Sequence, residues 1–165
     1  MNKGKENQNT VGGGKNTKIA HPTSGENAFG YLHETLSRGD TLPAGPIILK
    51  VGQHRGPNRG FGLNHIWDEH QDDIIKIGYD SAEKAIQYVA DIIQPGMPVH
   101  CEFNDMRGNH RPAVLRSRKG SVILELKQDG AGNHEYSVIT AYPNKNVHGT
   151  RVGVVHAAAE ADDEQ

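Results

Sequence analysis

The chain has 165 residues, 18 Lys and Arg against 20 Asp and Glu for a formal net charge of −2, and only 35% of its residues are hydrophobic. Such a length suits about one domain, with a modest core and, from 20 glycines and eight prolines, many turns. The single cysteine, Cys101, excludes an internal disulfide and a multi-cysteine zinc site, no apolar run is long enough to span a membrane, and the polar N-terminus lacks a signal-peptide core.

Residues 1–22, rich in Asn, Lys, Gly and Thr, are expected to be a flexible linker. Residues 23–157 then form the folded domain, and 158–165 an acidic tail. Ser24 can cap a helix over about 25–37, where Ala28, Phe29, Leu32 and Leu36 make one apolar stripe. The run 46–51 (Pro46-Ile-Ile-Leu-Lys-Val51) reads as a short buried strand.

Next comes the stretch on which the chain is organised, 52–70. Glycines 52, 56, 60 and 62 with Pro57, Arg55 and Arg59 predict an irregular cationic loop. A helix over 63–72 follows, with Leu63, Ile66, Trp67 and His70 on one side. Two arginine forks beside a helix N-terminus make a site suited to phosphate. Asp80 with Glu83 predicts a capping box for a helix over 81–94 whose buried face is Ala82, Ala85, Ile86, Val89 and Ile93.

The remainder reads as antiparallel sheet, with strands at 98–103, 111–118, 121–127 and 135–142 and a short one at 151–155. Helices first and sheet second is an α+β order, with N-terminal helices packed on a twisted antiparallel sheet. Charge divides along the chain. Residues 61–102 hold eight acids and two lysines, whereas 41–60 hold three basic residues and no acid, and 103–159 hold eight basic residues and four acids. This separation suits an anionic ligand on one face.

Ten histidines raise the question of metal. His65 and His70 are five apart, roughly 140° around a helix, so they do not chelate from one face. No metal or cofactor is therefore expected, and proton chemistry by histidine near neutral pH fits better. His65 lies off the apolar stripe and is expected to face a groove. His70 continues the stripe, so it reads equally as a buried structural histidine. Arg116 and Arg118 share a side of their strand, as Thr140 and Tyr142 do of theirs. The run from His148 to Arg151 serves as a turn or as a phosphate clamp. His21, His33, His100, His110, His134 and His156 are read as surface or incidental.

The combination Gly62-Leu-Asn-His65-Ile66-x-x-x-His70, a middle strand with Arg116, and the late strand Ser137-Val-Ile-Thr140-Ala141-Tyr142 resembles the barnase–EndoU–colicin–RelE nuclease superfamily. The likeness covers about 46–155. It is to the branch found as C-terminal toxin domains of polymorphic and contact-dependent inhibition systems. It implies a barnase/RelE-like α+β fold and a metal-independent endoribonuclease, with tRNA the expected substrate, acting by 2′-hydroxyl attack to give a 2′,3′-cyclic phosphate. The catalytic residues it implies are His65, Arg116, Thr140, Tyr142 and His70. The RNA-binding residues expected around them are His54, Arg55, Arg59, Arg111, Arg118, His148 and Arg151. It also implies a cognate immunity protein, a host activating factor in some cases, and export within a larger toxin that acts in the target-cell cytoplasm. A non-catalytic nucleic-acid-binding module and a histidine-dependent metallohydrolase stand as alternatives. Nine aromatics in the whole chain speak against the first, and the histidine spacing against the second.

Overall fold

The computed structural model describes residues 14–37, 40–57, 59–101, 113–117, 119–143 and 150–158. Six strands precede the first helix: β1 Ala28–Leu32, β2 Thr35–Ser37, β3 Asp40–Leu42, β4 Gly45–Ile48, β5 Gln53–Gly56 and β6 Arg59–Phe61. Helices α1 Gly62–Lys76 and α2 Ala82–Ile92 follow. Then come β7 Pro98–Cys101, β8 Ala113–Ser117, β9 Gly120–Gln128, β10 His134–Tyr142 and β11 Thr150–Val154. The class is α+β, but the helices sit in the middle of the chain rather than at its start.

Seven strands form one sheet in the order β1-β4-β10-β9-β8-β7-β11. The expected antiparallel sheet is in fact mixed, because β4 and β10 run parallel. A parallel pair needs a long crossover, and here both helices and three strands of the same sheet lie between the two partners. The sheet also curls until its ends meet. Tyr31 of β1 and His156, just past β11, exchange both backbone hydrogen bonds, at 2.9 and 2.8 Å. Such closure protects edges that would otherwise pair with other chains. Gly30 makes the seam possible: a Cβ there would stand 2.9 Å from Val155 Cγ1 and 3.1 Å from Ile93 Cγ2.

The helix expected over 25–37 is not formed; its residues make β1 and β2. Phe29 and Leu32 are buried as expected, but as strand positions, and Leu36 is 74% exposed. A short isolated helix is marginal in water, and β1 instead pairs with β4 on one side and the seam on the other. Ser24 accepts from the Glu26 N–H in a turn rather than capping a helix.

Part of the expected linker belongs to the fold. Ile19 donates to the Leu49 carbonyl at 2.8 Å, Val51 donates to Thr17 at 2.9 Å, and the Ile19 side chain is buried. Lys18 and Lys50 clasp the buried Glu135 carboxylate at 3.4 and 2.9 Å. Residues 1–13 and 159–165, which hold most of the remaining leader and tail, lie outside the described residues.

Leu63, Ile66, Trp67 and Ile74 of α1 enter the core with Ala82, Ala85, Ile86, Val89 and Ile92 of α2. The cap of α2 differs from expectation: Ser81 Oγ accepts from the Lys84 N–H, while Asp80 pairs with Lys84 Nζ at 3.0 Å. α1 packs on β10 and on the β5–β6 hairpin, and α2 packs on β8 and β9. Among the described residues no helix is long and apolar enough to cross a membrane.

Candidate active site

The glycine–arginine stretch is a hairpin rather than an irregular loop. His54 pairs with Gly60 and Gly56 with Arg59, with a register shift between them. The strands lack an apolar alternation, so backbone pairing and the support of α1 hold them. Gly60, at φ 136°, is needed for that support. A Cβ there would stand 2.2 Å from the Gln53 carbonyl oxygen and 2.9 Å from His65 Nδ1. The hairpin thus lies on the His65 ring, with Arg55 and Arg59 exposed on its outside.

Two expectations about α1 are corrected by this packing. The start of the helix is not an open anion site, because the Leu63 and Asn64 N–H groups donate to the carbonyls of Lys50 and Val51, both at 2.9 Å. Nor does His65 face a groove; it is 3% exposed. His70, expected within the apolar stripe, is only half-buried and sits at the margin of the core.

The rings form a line from hairpin to sheet. His54 Nδ1 lies 3.1 Å from His65 Nδ1, and the two rings stack at 5.3 Å between centroids. His65 meets His70 edge-on at 6.4 Å, and His70 lies 5.1 Å from the Tyr142 ring. Burial, reinforced by the neighbouring His54, lowers the His65 pKa below the ordinary histidine value. Burial likewise lowers His70, against the opposing pull of Glu69 and Asp73. Both shifts favour the neutral ring, which has one donor and one acceptor nitrogen.

At the end of the line His70, Asp73, Lys76, Ile77, Tyr142 and Pro143 border an open groove of about 480 Å³. Thr140 lies on the same side of β10 as Tyr142 by strand alternation. It is 6% exposed, and its Oγ1 has no hydrogen-bond partner among the described residues, a state that few buried polar atoms show. Tyr142 pairs with Ser121, which pairs with Arg116, so the Arg116 backbone falls in the same cross-sheet row.

The structure therefore joins His54, His65, His70 and Tyr142 and puts Thr140 and the Arg116 backbone nearby. It leaves Arg151 apart: that residue is exposed on β11, opposite His100, at the far end of the strand order. Arg111, Arg118 and His148 lie outside the described residues. Sequence reasoning missed Lys76, which carried no spacing signal, and Glu69, which did carry one. His65 and Glu69 stand four apart on a helix and share a face. Together with His54 they offer three ligand atoms all within 4.8 Å of one another. No family model, curated protein or solved structure matches the chain.

Proposed function

We propose that this chain is a toxin endoribonuclease of the barnase–EndoU–colicin–RelE type, cutting RNA, and tRNA in particular, by proton transfer without need of a metal. The observation that carries the reading is the unbroken line of rings His54, His65, His70 and Tyr142 ending at an open groove. The segments that carry the family resemblance, His65 to His70 and Thr140 to Tyr142, lie far apart in sequence and meet in that line.

In this reading RNA lies in the groove. Neutral His70 takes the proton of a 2′-hydroxyl, the 2′-oxygen attacks phosphorus, and the bond to the 5′-oxygen breaks. The Tyr142 hydroxyl protonates the leaving 5′-oxygen, giving a 2′,3′-cyclic phosphate and a 5′-hydroxyl. Lys76 and Arg116 stabilise the crowded phosphate, and the Thr140 hydroxyl orients it. His65 acts behind His70 as a positioning residue, held in turn by His54. Arg55 and Arg59 extend the cationic surface for the backbone of the RNA. The wider reading includes delivery within a larger exported toxin, action in the target-cell cytoplasm, and neutralisation by a dedicated immunity protein.

The test uses the full chain and its His70→Ala variant with total bacterial RNA in EDTA, cell extract being added to supply any host activator. The expected result is tRNA-sized fragments on a denaturing gel with the parent chain and none with the variant. Indistinguishable RNA patterns would overturn the reading.

A further inference from the structure

We propose that His54, His65 and Glu69 form a binding site for one transition-metal dication of the zinc class, a property separate from the ribonuclease reading. The three residues come from neighbouring elements, His54 from β5 of the hairpin and His65 and Glu69 from the first two turns of α1. On α1, positions 65 and 69 are one turn apart, separated by about 40° around the axis, so both side chains leave the same face. The hairpin brings His54 over that face, and the absence of a side chain at Gly60 leaves His65 Nδ1 approachable.

Distances fit an ion. Two imidazole nitrogens at ~2.0–2.1 Å from a tetrahedral zinc stand about 3.3 Å apart, and the two Nδ1 atoms here are 3.1 Å apart. A hydrogen bond between neutral rings, one tautomer donating, also gives 3.1 Å, but it does not call for a carboxylate. Glu69 offers one, with an oxygen within 4.8 Å of a ring nitrogen of each histidine.

Donor chemistry narrows the ion. Two nitrogens and one carboxylate suit zinc and its first-row neighbours, whereas calcium and magnesium prefer all-oxygen sets. His65 is buried while His54 and Glu69 are half-buried, which leaves an outward position for water as a fourth ligand. His70 is not part of the set: it points its ring at Tyr142, on the other side of His65. A bound ion would pin the hairpin to α1 and occupy both Nδ1 atoms.

The experiment is a titration of the metal-stripped full chain with zinc chloride against a chromophoric chelator, with melting followed in parallel. The proposal expects one zinc per chain and a zinc-dependent rise in Tm. His54→Ala and Glu69→Gln should each weaken binding by about 100-fold or more, since losing even an outer partner of a metal ligand costs 10–100-fold. Glu69→Gln preserves shape, so a folding defect at position 54 leaves the test decisive. His156→Ala, in the other histidine stack, should bind zinc as the parent does. Absence of zinc binding, binding kept by both site variants, or binding lost in His156→Ala would each overturn the proposal. Neither readout depends on RNA cleavage, so failure here and failure of the ribonuclease reading are distinguishable.

Discussion

Among the described residues histidine stacks on histidine twice, and the two places differ in everything around the rings. His33 and His156 lie face to face at 3.5 Å and 5°, at the seam where the curled sheet closes. Their neighbours are a small cavity of about 50 Å³ with Leu32, Leu42, Val99 and Val152 in its wall, and a backbone hydrogen-bonded on both sides. His54 and His65 are farther apart and tilted by 28°, but they adjoin a carboxylate, a third imidazole, a phenol and an open groove. The first pair lies where the sheet closes, and the second begins a series of ring contacts that ends at the groove. A histidine count does not separate these roles; the groups within reach of each ring do.

Substitutions in the two places should therefore fail in different ways. The largest effect is expected for His70→Ala, which on the proposed mechanism removes the proton acceptor at the groove and should slow cleavage by roughly 10²–10⁴-fold. Its circular dichroism should match the parent, because His70 lies at the margin of the core. Equal activity would remove it from the site. At the seam, Gly30→Ala forces a Cβ against Val155 and Ile93. It should cost about 1–3 kcal/mol by denaturant titration, as overpacking does, while the folded fraction still cleaves. Unchanged stability would mean that the ends of the sheet do not meet.

Thr140→Val separates stability from chemistry at one position. The Oγ1 has no partner among the described residues, so replacing it with a methyl should leave stability level or raise it by about 1 kcal/mol. Cleavage should fall by roughly 10²-fold if that hydroxyl orients phosphate, the loss of one oriented donor. A stability loss with cleavage kept would show a structural role instead. The smallest effect is expected for the Arg55→Ala, Arg59→Ala double variant. Both side chains are exposed, so stability should move by no more than about 0.5 kcal/mol. RNA affinity should fall, with a salt dependence shallower by about two phosphate contacts.

Much of the site was legible in the sequence where the signal was local. The 3.6-residue stripe of Leu63, Ile66 and Trp67 placed α1, and the β-prone run ending in Thr140 and Tyr142 placed β10. What stayed hidden depends on contacts distant in the chain. The spacing of Ala28, Phe29 and Leu32 suits a helix, and pairing with β4 and closure at the seam override it. His65 looked free because it lies off the stripe, yet a hairpin without apolar alternation folds over it. The same hairpin supplies His54, so judging metal ligands from helix spacing alone left out the residue that completes the set.

The most direct test of the central claim is the chemistry of the new RNA ends. Fragments produced by the full chain in EDTA would be assayed for 2′,3′-cyclic phosphate and 5′-hydroxyl termini. The line of His70 and Tyr142 predicts those termini, and their loss in the His70→Ala variant. Fragments ending in a 3′-hydroxyl with a 5′-phosphate would contradict proton transfer by these residues.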